Sequence, residues 1–148
     1  MNRTATEILL VEDDPNDVEL AFIALRENEL AKRIQVARDG EEALDFLFCR
    51  GAFSGRSFDQ PPKVVLLDLK LPKVSGLEVL REIKADTRTR PIPVVVLTSS
   101  KQQEDMVKGY QLGANSYIQK PIDFDQFQRL INDLGYYWVS VNQCLPPE

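Results

Sequence analysis

The chain has 148 residues, 43% of them hydrophobic and 28% charged, with a net charge of −5. That length and mix fit one globular domain with its own core, and no apolar run is long enough for a membrane span or a secretion signal. Histidine is absent and Lys and Arg are scattered, which excludes Ser-His-Asp and Cys-His nucleophiles, histidine-bound zinc and a basic stripe for direct nucleic-acid contact. Cys49 and Cys144 lie far apart, forming neither a CxxC pair nor a disulfide framework. A soluble, cytoplasmic protein without membrane contact is the expectation.

Short apolar runs alternate with helix-like segments, the pattern of an α/β domain with a parallel sheet. Ile8-Leu9-Leu10-Val11 reads as a strand covered on both faces, followed by a helix from Pro15 to about Leu30 with Val18, Phe22 and Leu25 on one stripe. Ile34 and Val36 alternate with polar neighbours as a short edge strand. Asp39 then caps a helix, with Glu42 three residues on, that buries Ala43, Leu44, Leu47 and Phe48. Residues 49–63, broken by Gly51, Gly55, Pro61 and Pro62, read as a long loop. It runs from a helix into the start of a strand, which places it on the edge away from the chemistry.

Val64-Val65-Leu66-Leu67 is the third expected strand, Gly76 to about Ala85 a helix, and Val94-Val95-Val96-Leu97 the fourth strand. A helix around Asp105–Leu112 ends at Gly113, the usual left-handed stop. Ser116–Gln119 makes the fifth strand, and Asp123 caps a last helix carrying Phe127, Leu130, Ile131 and Leu134. No internal repeat and no domain-dividing linker is visible. One domain over 1–148, with an extension of the last helix and no output domain, is the expected organisation.

Three of the four-residue apolar runs end in reactive groups. Val11 precedes Glu12-Asp13-Asp14, Leu67 precedes Asp68, and Leu97 precedes Thr98-Ser99-Ser100; the fifth strand ends in Lys120-Pro121. In an open parallel sheet, ligands bind beyond the carboxyl ends of the strands, where strand order reverses. Glu12, Asp13 and Asp68 would repel one another without a cation. A Mg²⁺ or Mn²⁺ ion together with Lys120 would balance them, and Mg²⁺ favours a few carboxylate oxygens shared with a phosphoryl oxygen. A carboxylate can itself be the nucleophile that becomes an aspartyl phosphate, with the metal, Lys120 and the Thr98 hydroxyl holding the equatorial oxygens. Each group alone is ordinary as a cap or turn residue. Four strand ends supplying complementary groups together are not.

These residues resemble the receiver domain of bacterial two-component response regulators over essentially the whole chain. The resemblance rests on Ile8 to Asp14, Leu67-Asp68-Leu69-Lys70-Leu71-Pro72 with Gly76, Leu97-Thr98-Ser99, Gly113-Ala114 and Lys120-Pro121. It implies a flavodoxin-like, doubly wound five-stranded parallel sheet in the order 2-1-3-4-5 with five helices. It also implies Asp68 as phosphoacceptor, Glu12 and Asp13 as the acidic pair for the metal, and the Lys70 carbonyl as the remaining protein ligand. Thr98 and Lys120 would hold the phosphoryl group, and Thr98 and Tyr117 would form the switch that reshapes the surface of the fourth helix, fifth strand and fifth helix. The implied partners are a histidine kinase and a downstream protein. Glu12 stands where many members of the family have aspartate, while the 49–63 loop and the aromatic tail Tyr136-Tyr137-Trp138, with the Lys-Pro-Ile-Asp-Phe run at 120–124, resemble more narrowly the short stand-alone regulators paired with cyanobacterial and other bacterial phytochrome kinases.

Two other functions use the same sheet. An aspartyl-nucleophile phosphatase usually carries a second acid two residues after the nucleophile, where this chain has Lys70. A flavin or nucleotide binder needs a Gly- or Ser-rich phosphate loop after the first strand, where this chain has Glu12-Asp13-Asp14. Finally, Phe124, Phe127, Tyr136, Tyr137, Trp138 and Val141 exceed what one helical face needs to cover a sheet. A homodimer contact there is expected, with Phe124, Phe127, Tyr137 and Trp138 at its centre.

Overall fold

The computed structural model describes residues 6–26, 30–120 and 123–145. Five strands, β1 (Ile8–Val11), β2 (Ile34–Ala37), β3 (Val64–Leu67), β4 (Val94–Thr98) and β5 (Ser116–Gln119), form one sheet in the order β2-β1-β3-β4-β5. All neighbours are parallel. Five α-helices alternate with them: α1 (Pro15–Arg26), α2 (Gly40–Leu47), α3 (Gly76–Ala85), α4 (Gln103–Gln111) and α5 (Phe124–Gly135). This is the flavodoxin-like arrangement. Among the described residues no helix is long and apolar enough to cross a membrane.

The strand runs are continuously apolar because both faces of the sheet are covered, and the period of two sends alternate residues to opposite sides. Leu9, Val11, Val65, Leu67, Val94 and Val96 pack with Ala43, Leu44 and Leu47 of α2 and Val79, Leu80 and Ile83 of α3. Ile8, Leu10, Val64, Leu66, Val95 and Leu97 pack with Val18, Ala21 and Leu25 of α1 and Phe127 and Ile131 of α5. The edge strand β2 is only half-buried until Ala37, in keeping with its alternating sequence.

Several elements differ in detail from the sequence reading. Leu30 has left α1 by its own position: it precedes a 3-10 turn (Ala31–Arg33) and its N–H donates to Leu25 O at 3.0 Å. Asp39 caps α2 as expected, its carboxylate accepting from Glu42 N. It is Phe46, not Phe48, that enters the core, because α2 ends at Leu47 and Phe48 caps it half-buried. The loop explains the change. Phe53, from its 3-10 turn (Gly51–Phe53), meets the Phe46 ring edge-on at 5.1 Å, and Phe58 draws Phe48 outward at 6.3 Å. Arg56 lies over the Phe46 ring at 3.7 Å and donates to Gln60 O at 3.0 Å, so the segment is tied to itself. It enters β3 beside Glu7, at the edge opposite the strand carboxyl ends.

Gly113 (φ +107) terminates α4 in the left-handed region, as expected. After α5 the chain continues as π-helix over Tyr136–Val141, a feature the sequence periodicity does not reveal.

Candidate functional site

The strand order reverses between β1 and β3, and register sets what meets there. Val11 pairs with Leu67, so the next residues, Glu12 and Asp68, emerge side by side. The ladder carries on past the strands: Asp68 N donates to Val11 O at 3.0 Å, Glu12 N to Ala37 O at 2.9 Å, and Lys120 N to Thr98 O at 2.7 Å. These bonds fix the backbone under each reactive group. Glu12 and Asp68 are both buried, and Thr98 is fully so.

Lys120 draws the carboxylates together. Its Nζ donates to Glu12 Oε1 at 2.6 Å, to Asp17 Oδ2 at 2.7 Å and to Asp68 Oδ2 at 3.2 Å. Asp68 Oδ1 accepts the Lys70 N–H at 3.1 Å, which orients the carboxyl and sets Lys70 beside it. The Thr98 hydroxyl accepts Ser100 N–H at 3.2 Å, and the Ser100 hydroxyl donates to Asp105 at 2.6 Å.

Asp13 and Asp14 separate in role. Both are exposed, but Asp14 accepts the Asn16 N–H at 2.8 Å and works as a turn cap ahead of α1. Asp13 is left next to Glu12 without that duty. Among the described residues no three acidic groups are arranged to hold a metal ion; Glu12, Asp17 and Asp68 converge on the Lys120 ammonium instead. Pro121 of the Lys120-Pro121 motif lies outside the described residues.

One cation against three carboxylates leaves the cluster short of positive charge. Burial pushes the Glu12 carboxyl up from 4.5 to about 7, with the Lys120 hydrogen bond and charge opposing and Asp68 adding to the rise. For Lys120, burial works downward, but its hydrogen bonds to Asp17 and Glu12 and the charges of Glu12 and Asp68 outweigh it and raise the ammonium above its ordinary value. The donor set is therefore hard, oxygen-only and over-negative, which fits Mg²⁺.

A pH dependence follows. Glu12 must lose its proton to serve a metal, so with a pKa of about 7 the affinity for Mg²⁺ should rise roughly tenfold from pH 6 to pH 8. Folding stability should show the opposite slope. The folded state holds a proton that the unfolded chain releases near 4.5, so metal-free stability falls as pH climbs through that window toward 7. Calorimetric Mg²⁺ titrations at pH 6, 7 and 8 check the first statement, and a flat affinity would show that Glu12 does not titrate there.

Tyr117 packs its ring under α4. A Cβ on Gly109 would sit 3.3 Å from its Cδ2, and Tyr110 covers it at 6.3 Å between ring centroids. Among the described residues its buried hydroxyl has no hydrogen-bond partner. Burial and the Asp105 charge raise its pKa, opposed by the nearby Ser100 hydroxyl, whose proton goes to Asp105.

The expected dimer residues divide. Phe127 is 5% exposed inside its own domain's core, which removes it from any interface, and Trp138 is half-buried on the same cluster. Tyr137 stacks edge-on against Trp138 at 5.0 Å and is 47% exposed, while Phe124, Tyr136 and Val141 also face solvent. Asp17 is the site residue that the sequence reading missed.

Comparison with known proteins agrees with this fold. The response regulator receiver domain family matches residues 8–132. A probable methanogenesis regulatory protein, FilR2 of Methanothrix harundinacea, is 42% identical over 95% of this chain and 88% of its own. The crystal structure of the Mn²⁺-bound form of response regulator Rcp1, a protein known from Synechocystis, superposes with a TM-score of 0.85 at 33% identity, covering 93% of this chain and 97% of that one. The bacteriophytochrome response regulator AtBRR is 50% identical with a TM-score of 0.71, over 95% of this chain and all of the other (100%). With its parallel sheet, its buried Asp68 at the switch point and this match over most of its length, the chain belongs to the response regulator receiver domain family.

Proposed function

We propose that this protein is the phosphoacceptor of a two-component relay, taking a phosphoryl group on Asp68 from a histidine kinase of the phytochrome class. The observation that carries the reading is the buried Asp68 carboxylate at the end of the central strand, with Lys120 at 3.2 Å and Thr98 on the neighbouring strand end. An Asp68 oxygen attacks phosphorus, the bond from phosphorus to the donor breaks, and the donor leaves with the electron pair. Lys120 and the Thr98 hydroxyl meet the equatorial oxygens. Glu12, Asp13, Asp68 and the Lys70 carbonyl would hold Mg²⁺, which supplies charge neutralisation at the phosphoryl oxygens when bound.

Thr98 and Tyr117 form the switch in this reading. Drawing the Thr98 hydroxyl toward a phosphoryl oxygen takes it from Ser100 N–H and alters the loop over Tyr117. With no hydrogen-bond partner for its hydroxyl among the described residues, the ring is held in its present position by only a small energetic preference. The phytochrome assignment is supported by the half-identical bacteriophytochrome regulator. The aspartyl-phosphatase alternative gains nothing, since Lys70 is exposed and offers Asp68 a backbone N–H rather than an acid.

The test is transfer of labelled phosphate, with Mg²⁺, from a bacteriophytochrome kinase and from an unrelated histidine kinase. Faster labelling by the phytochrome kinase is expected, and Tyr117→Ala should be labelled at the parent's rate. Equal rates from both kinases would remove the phytochrome assignment. No labelling from any donor would remove the phosphoacceptor reading.

The exposed Phe124, Tyr136, Tyr137 and Val141 are proposed to pair two copies. Sedimentation at micromolar concentration should give a dimer for the parent and a monomer for Tyr137→Ser/Val141→Ser. A monomeric parent, with and without phosphate, refutes the pairing.

A further inference from the structure

Asp17 belongs to no expected metal set, yet it makes one of the two shortest contacts of the Lys120 ammonium. An ammonium has three hydrogens, and Lys120 spends them on Glu12, Asp17 and Asp68. Two of these acceptors have another task in the proposed chemistry. When Glu12 and Asp68 turn to the cation and the incoming phosphoryl group, Asp17 alone keeps its hold on Lys120.

Its own placement is firm. Asp17 stands in the first turn of α1, between the Asp14 cap, which holds Asn16 N at 2.8 Å and Val18 N at 3.1 Å, and the core residue Val18. The Lys120 side chain, by contrast, is a flexible four-carbon arm whose tip is located only by what it binds.

We propose that Asp17 is a positioning residue: it anchors the Lys120 ammonium beside Asp68 while the other two carboxylates change partners. The inference rests on Asp68 being the acceptor. Asp17 exchanges no proton and forms no bond to phosphorus; it acts through Lys120, which donates a hydrogen bond to the moving phosphoryl group. Removing it should therefore slow transfer without weakening the metal.

The experiment uses the full chain with acetyl phosphate as donor and Mg²⁺ at saturation, followed by intact mass. Asp17→Ala and the isosteric Asp17→Asn should lower the rate about tenfold or more, with Mg²⁺ affinity within about threefold of the parent and Asp17→Glu regaining most of the rate. Thermal melts establish that each variant is folded, and Asp17→Asn carries the test if Asp17→Ala is not. A rate equal to or above the parent's in the folded Asp17→Asn overturns the inference, as does a loss of Mg²⁺ affinity in step with the rate. If the parent itself takes no phosphate, the acceptor reading of Asp68 fails and the role of Asp17 falls with it.

Discussion

Asp68→Asn should lose phosphoryl incorporation outright, while remaining folded. The amide has the carboxylate's shape and can still accept the Lys70 N–H through its oxygen, a contact now made at 3.1 Å. Lys120 retains Glu12 at 2.6 Å and Asp17 at 2.7 Å, so no charge is stranded in the interior. What disappears is the nucleophile. An amide oxygen with its lone pair delocalised does not displace a phosphate leaving group at a useful rate, and a fall of at least about a thousandfold is expected. With acetyl phosphate and Mg²⁺, intact mass should show one added phosphoryl group on the parent and none on the variant. Stoichiometric labelling of Asp68→Asn at Asp13 or Asp14 would show that the acceptor lies elsewhere in the acidic cluster.

The sequence exposes this much of the site because Glu12, Asp68 and Thr98 each directly follow a buried apolar run, and Lys120 follows the half-buried β5. Val11, Leu67 and Leu97 are in continuous apolar runs that only a doubly covered sheet accommodates. The residue after each run is carried to the same sheet edge by the parallel topology. Glu12, Asp68, Thr98 and Lys120 can therefore be grouped from the sequence alone.

Asp17 was not legible on the same terms. An acid in the first turn of a helix has a complete local explanation in the helix dipole, and its bond to Lys120 spans 103 residues. Only the seat of α1 over the end of β1 reveals it. Phe46 and Phe48 show a different limit. Helical spacing puts either ring on a plausible face, and the choice was made by Phe53 and Phe58 from a loop whose path has no periodic signal. Phe127 was misread for a related reason. Counting aromatics cannot tell a ring that completes the core from one left outside it, and Val139 of the π-turn seals the same cluster.

A large stability loss is expected from a single methyl group at Gly76. This residue opens α3 directly after the Ser75 cap, and its N–H donates to Leu69 O at 3.0 Å. A Cβ there would lie 2.3 Å from Asp68 O and 2.5 Å from Leu69 Cα. Both are backbone atoms, so no side chain can rotate away to make room. Either α3 shifts off the sheet, disturbing Val79, Leu80 and Ile83 in the core, or the Asp68-Leu69 peptide moves and takes the acceptor carboxylate with it. Overpacking of this kind costs about 3 kcal/mol, a melting-temperature drop of roughly 6–12 °C for a chain of this size. Gly76→Ala should also be phosphorylated more slowly, because a displacement of Asp68 by even a fraction of an ångström spoils its alignment with Lys120. Gly55→Ala is the matched control, since a Cβ at Gly55 meets nothing within 4 Å. Differential scanning calorimetry of the two variants measures the contrast. Equal melting temperatures would mean that the α3 N-terminus does not press on the Asp68 carbonyl, and that the acceptor is held by its strand alone.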